Sequence, residues 1–448
     1  MTAVESSVAH APELKRALGF GDLVVYGLAY IAPFAPLTTI GFVWQASNGL
    51  IALAYLLGGV CMYFTAKSYA IMTERVPTAG SVYGFARHAL GTLPGFLAGW
   101  MILLDYLLIP AFVYVLVAVA AGTLVAGLDR GLTIVAVAAF TLTVNWFGIT
   151  VTSRANFTAV AIQVLLLVGL LGFALVALHG GKGNGALTLA PFYSPGQFNL
   201  GTAFAGTSIC IMSFLGFDAI STLAEEVRGN DRRIIGRAII ATIVVSAVFF
   251  LLVAWILGNL MPGLAIGDPA EAPYALAGWA VGAWAALVLA WAQVLVVGLS
   301  NALPMQVGVA RVLFAMGRDR QLPSALGRVH PRYRTPHVAM LVSSAISLAI
   351  ALLMRNRMDD LATIVNFGAL SGFLVLHVSV LALFARRERS RQWFTHWVVP
   401  GCGIAVVLAV FFGMSPMALK VGCTWLAVGT IYGWMLHTKR RDVLRAEL

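Results

Sequence analysis

Apolar residues fill this chain in runs too long for a soluble core. No charged residue occurs from Leu23 to Ala66, and since one span needs roughly 20 residues, that run holds two spans joined by the polar break from Gln45 to Gly49. The same pattern continues along the chain and predicts twelve membrane helices, starting near Gly19, Leu50, Ala86, Leu132, Ala155, Leu200, Ala238, Ala275, His337, Leu361, Val398 and Gly422. The polar stretches between them are too short to fold as separate units. The expectation is an all-α polytopic membrane protein with one transmembrane domain over residues 19–436, a polar segment 1–18 before it and a basic tail 437–448 after it.

Two of the spans contain residues that break helices. The stretch VVYGLAYIAPFAPLTTIG at 24–41 carries Pro33 and Pro36, and SFLGFDA at 213–219 sets Gly216 two residues before Asp218. Proline removes a backbone donor and clashes with the preceding turn, so spans 1 and 6 are both expected to be discontinuous. Broken segments at corresponding positions five spans apart point to an inverted-repeat transporter whose site lies where both helices unwind. Backbone groups bared at that depth need a ligand, an ion or protein to cover them. Ser213, Phe214, Phe217 and Asp218 thus become candidate site residues, and Tyr26, Tyr30, Tyr106, Phe214 and Phe217 form a candidate cation-attracting wall.

Asp105, in LLDYLLIP, is a lone carboxylate midway along the third span. Placing one at the bilayer centre costs roughly 2.5 to 3.5 kcal/mol, so such residues face a cavity or a partner. The spans hold almost no Lys or Arg, which leaves a cationic ligand, a proton, a hydroxyl or a neighbouring helix to satisfy it. Glu225 and Glu226 close span 6 just before RGNDRRIIGR, and are expected to meet cytoplasmic arginines such as Arg87 or Arg232 as gate or fold salt bridges.

Composition agrees with this picture: 60% of residues are hydrophobic and 10% charged. The net charge of +11 follows from placement, since all Lys and Arg but Arg130, Lys182, Arg355, Arg357 and Lys420 fall on loops of one side. By the positive-inside rule that side is cytoplasmic and holds both termini. The charge therefore reflects topology and not nucleic acid, and the bilayer is the expected partner. Lys15 and Arg16 precede the first span without a cleavable leader pattern. Cys61, Cys210, Cys402 and Cys423 fall inside spans at unrelated spacings, and the eight histidines lie mostly in loops with no metal-ligand spacing. HGGKGNGA at 179–186 has no Ser or Thr after Lys182 and follows a span, so it reads as a flexible outer loop and not a phosphate cradle. With no hydrolase triad either, an enzyme is not expected.

These segments together resemble the amino acid, polyamine and organocation permeases across residues 19–436. SFLGFDAISTLAEE is similar to that family's discontinuous sixth helix. PTAGSVYGFAR at 77–87, LLDYLLIP at 103–110, MGRDRQLP at 316–323 and IVNFGAL at 364–370 match in support, and the set most resembles the bacterial putrescine importer branch. The resemblance implies the fold of the sodium-coupled amino acid transporters, a five-plus-five inverted repeat (about 19–180 and about 200–383) with two extra helices (about 397–436). Family members that bind amino acids usually carry a Gly-Ser-Gly type segment in the unwound part of span 1, where Tyr30, Ile31 and Ala32 stand here. Bulky side chains hinder close backbone approach, so a substrate without a carboxylate is favoured. Asp105 and Asp218 would then each face one ammonium of a diamine, its methylenes against Tyr30, Phe214, Phe217 and Met305. Met305 stands where some relatives use a tryptophan lid, with Pro304 beside it as a local kink. Gln163 stands where several carry a lysine in place of a sodium ion. Gln163 takes up no charge, so a coupled proton would ride on Asp218, Asp105 or a gate glutamate, with sodium left open. The expected function is import of putrescine or a related polyamine by alternating access in the bacterial inner membrane, without a cofactor. An amino acid permease of the same family is the alternative, ahead of a channel or a non-transporting sensor.

Overall fold

The computed structural model describes residues 18–76, 81–147, 153–223, 227, 228, 231, 233–318, 320–333 and 335–446. Among these, regular structure is helical throughout, apart from one isolated bridge between Leu18 and Val227. The first apolar run forms α1 (Phe20–Ile31) and α2 (Ala35–Ala46), bent by 44° at the break between them. Next come α3 (Ile51–Arg75), α4 (Ser81–Leu90) and α5 (Thr92–Leu124), then α6 (Arg130–Trp146) and α7 (Ser153–His179). The second half holds α8 (Leu200–Cys210), α9 (Arg233–Leu260), α10 (Ala272–Ala280), α11 (Ala283–Ala292) and α12 (Leu299–Arg318). It closes with α13 (His337–Leu353), α14 (Met358–Val380), α15 (Val399–Phe412) and α16 (Pro416–Ala446). Eight helices among the described residues are long and apolar enough to cross a bilayer, nine when α1 and α2 count as one bent span. The shorter apolar helices α6 and α13 have 17 residues each.

At the centre stands α5, of whose 33 residues 23 are buried, all between Gly95 and Ala120. A helix apolar on every face belongs inside a bundle. Glycines set its neighbours close, as small residues do in membrane interfaces. A Cβ on Gly368 of α14 would fall 2.7 Å from the Asp105 amide nitrogen, and one on Gly372 would fall 2.7 Å from Ile102. At the far end Trp100 and Trp425 stack at 4.5 Å, and each indole donates to the other's backbone carbonyl at 2.9 Å, which joins α5 to α16.

Several expectations shift. The third span starts at Thr92, not Ala86, because Gly91 turns the chain at φ 105° and leaves α4 as a separate short helix. The eighth starts at Ala283, after Gly282 at φ 138° detaches α10. Only glycine enters these conformations without strain, and both residues read as apolar filler in the pattern. The 179–186 loop is pinned: Lys182 donates to the Trp279 carbonyl and lies 5.5 Å from the centre of its ring, and Asn184 bonds the side chain and backbone of Asn259. His377 lies inside α14, fully buried, with Nδ1 2.8 Å from the Ser68 hydroxyl.

Candidate functional site

The first span ends its helical course at Ile31. Ala32 takes φ 63° and ψ 117°, a conformation that side chains of L-residues rarely adopt, and Pro33 follows without an N–H. Every backbone donor at this turn is occupied. The Ala32 N–H reaches back to the Leu28 carbonyl at 3.2 Å, and that of Ala35 to the Ala32 carbonyl at 3.0 Å. The N–H of Phe34 crosses to the side-chain oxygen of Gln163 on α7 at 3.3 Å. The acceptors fare differently. Carbonyls of Ala29, Tyr30 and Ile31 lose the donors four residues on, because Pro33 has none and the other two point elsewhere. The break therefore presents lone pairs at the negative end of the α1 dipole.

The sixth span breaks as well. After α8 a 3-10 turn covers Ile211–Phe214, Leu215 extends the chain, Gly216 takes φ 107°, and a second 3-10 segment runs over Phe217–Leu223. The two breaks touch. A Cβ on Gly216 would sit 2.7 Å from the Tyr30 ring, and one on Gly308 of α12 would sit 3.3 Å from the Tyr30 hydroxyl. Tyr30 is thus wedged between a glycine of span 6 and a glycine of span 8.

Beside them lies a cavity of about 60 Å³. Tyr30, Ile31, Ala32, Ser213 and Met305 line it, as the sequence grouped them, with Thr38, Thr39 and Asn301 as further polar walls. Its apolar wall comes from Ile109, Phe112, Val113 and Leu116 of α5. Ligand sites of small molecules span roughly 300 to 1,000 Å³, so this cavity is smaller than a usual ligand site. Met305 follows Pro304 within α12 and comes soon after a widened π turn at Gln293–Gly298; such turns favour functional sites.

Ser213 belongs to a buried hydroxyl trio. Its Oγ lies 3.1 Å from both Thr39 Oγ1 and the Tyr55 hydroxyl, which are 2.8 Å from one another. The trio ties the second half of span 1, span 2 and span 6 together. Sequence reading missed Thr38, Thr39, Tyr55 and Asn301. Asn301 alone left a usable trace, a polar residue one helical turn before Met305.

The remaining candidates lie elsewhere. Phe214 packs on Tyr55 and Phe250 at 6.2 and 5.2 Å between centroids, and Phe217 on Tyr69 and Phe373 at 5.4 and 5.7 Å, so neither ring lines the cavity. Asp105 and Asp218 do not line it either, yet they sit within electrostatic reach of each other and of Tyr30. The Tyr106 hydroxyl donates to Asp218 at 3.4 Å, while Oδ1 of Asp105 has no hydrogen-bond partner among the described residues. These are the two buried carboxylates among the described residues, and no Lys or Arg there is buried. Glu225, Glu226 and Arg232 fall outside the described residues, and Arg87 bonds the Tyr83 hydroxyl at 3.2 Å.

A paired helix break around a central cavity suits a carrier, and the sequence profile of the amino acid permease family matches residues 22–432. The chain belongs to that family. It is a multi-pass membrane transporter of the permease type. The low-affinity putrescine importer PlaP of Escherichia coli (strain K12) is 32% identical over 94% of this chain and 93% of its own length. The branched-chain amino acid permease BcaP of Bacillus subtilis (strain 168) is 27% identical over 96% and 95%. The methylthioribose transporter of the same organism is 25% identical over 98% and 97%. The bacterial putrescine importer resemblance of the sequence motifs thus extends along nearly the whole permease.

Proposed function

We propose that this permease imports a small organic cation, putrescine or a related polyamine, by alternating access and without enzymatic chemistry. The observation that carries the reading is that the span 1 break offers acceptors and no free donor. With the N–H groups of Ala32, Phe34 and Ala35 occupied and two prolines between and after them, an amino acid carboxylate finds no backbone cradle there. An ammonium finds the carbonyls of Tyr30 and Ile31, Ser213, Asn301, and the field of Asp105 and Asp218. The aliphatic wall from Ile109 to Leu116 suits a methylene chain, and Met305 closes over it.

In this reading the nine long spans, with α6, α13 and α16, make twelve. They form a five-plus-five inverted repeat, about 19–180 and about 200–383, with two helices added in a single domain. Both termini lie on the cytoplasmic side of a bacterial inner membrane in this reading, which the basic loops support. A proton is the coupling ion and rides on Asp105, Asp218 or a gate glutamate, because Gln163 takes up no charge, with sodium as the alternative ion. The branched-chain amino acid permease among the relatives keeps an amino acid substrate as the second reading.

Uptake of radiolabelled putrescine in a transport-deficient host tests this. Asp105→Asn or Asp218→Asn removes one carboxylate field and should raise the KM for putrescine; an unchanged KM in both variants would remove the role given to these carboxylates. Competition by unlabelled amino acids stronger than by diamines would sink the amine reading. Saturable counterflow in proteoliposomes is expected of a carrier; unsaturated conductance would mark a channel.

A further inference from the structure

A second, larger concavity of about 420 Å³ opens away from the central cavity, between α3 and α9. Its walls are Leu56, Val60 and Phe64 of α3 and Val244, Val248 and Leu251 of α9, with Gly59 leaving room between the helices. The α3 residues recur at one helical turn, so they form a single stripe about 13 Å long from Tyr55 to Phe64. Leu56, Val60, Val244 and Val248 are exposed at mid-span, where the surroundings are hydrocarbon.

Two features make this more than ordinary membrane-facing surface. One turn past the groove, Lys67 places Nζ 5.7 Å from the centre of the Tyr63 ring, and it has no carboxylate in ion-pair distance among the described residues. A half-buried cation at the mouth of an apolar groove matches an anionic headgroup above an acyl chain. At the inner end, Tyr55 both lines the groove and holds the hydroxyls of Thr39 and Ser213, which line the central cavity.

We propose that the groove between α3 and α9 binds one acyl chain of an anionic phospholipid, with its phosphate at Lys67.

The test is native mass spectrometry of the full chain taken from nanodiscs of phosphatidylcholine and phosphatidylglycerol with identical acyl chains. Wild type should retain one tightly held lipid, enriched in phosphatidylglycerol. Lys67→Gln should lower that enrichment about five-fold, the effect of one basic side chain at an anionic surface. Val248→Trp, and Val60→Trp on the facing wall, fill the groove from exposed positions and should remove the retained lipid. Equal headgroup ratios in wild type and Lys67→Gln, or unchanged retention in both tryptophan variants, would overturn the proposal. The readout needs no transport, so it stands or falls apart from the substrate assignment.

Discussion

The bond from Phe34 to Gln163 invites the most direct perturbation of the span 1 break. Phe34 and Gln163 are each 1% exposed, and they meet across 129 residues of sequence. Gln163→Met keeps the length and volume of the side chain but removes its amide oxygen. A buried N–H left without an acceptor costs about 1 to 3 kcal/mol, about 5- to 150-fold in an equilibrium constant. The Phe34 N–H has one escape, the carbonyl of Tyr30 four residues back, which would extend α1 by a turn and cover one of the bare acceptors. The variant should therefore lose thermal stability in detergent and also bind amines more weakly. Gln163→Glu retains an oxygen at the same place and should recover the stability only at low pH, where its carboxyl is neutral, because a carboxylate there costs roughly 2.5 to 3.5 kcal/mol. Unfolding midpoints by intrinsic fluorescence, together with uptake KM, measure both effects. Should Gln163→Met melt and transport like wild type, the break is held by something other than this bond, and the acceptor-only reading of the site loses its support.

Three further outcomes follow from the same geometry. Ala32→Gly should stabilise the protein by about 1 kcal/mol, since residues at sparsely populated angles carry about 1 to 3 kcal/mol of strain offset by the extra freedom of glycine; a lower unfolding midpoint would contradict the φ of 63° there. Gly368→Ala should destabilise the protein, because its Cβ would meet the backbone of Asp105 and Met101 at 2.7 and 2.8 Å. Overpacking of that kind costs about 1 to 3 kcal/mol, and an unchanged melting curve would show that α5 and α14 sit further apart. Tyr55→Phe removes one hydroxyl of the trio and should cost about 0.5 to 1.5 kcal/mol; a double variant with Ser213→Ala should cost less than the sum, and strict additivity would mean that the two groups do not interact.

What the sequence disclosed and what it withheld separate along physical lines. Pro33 and Gly216 were legible because they forbid or permit backbone states by their own chemistry, whatever surrounds them. Asp105 was legible because a lone charge in an apolar run is costly anywhere. Residues whose meaning depends on direction were not legible. Phe214 and Phe217 flank an extended residue between two 3-10 turns, so no single helical period carries their orientation through the break. The trio of Thr39, Tyr55 and Ser213, and the reach of Gln163 to Phe34, join residues 16 to 174 positions apart. Such contacts exist only once the spans have packed. Gly91 and Gly282 show the reverse problem: in a hydropathy pattern they count as neutral filler, and only the fold reveals them as corners.

Tyr30 acts as a spacer gauge. Held between Gly216 and Gly308, its ring fixes how near three separate spans come to one another at mid-depth, much as a key fills the clearance between two wards. Larger side chains at either glycine would jam it, and a smaller residue at 30 would leave the three spans free to slide. In the alternating-access cycle proposed above, withdrawal of this ring from between the two glycines is the step that would free the three spans to separate.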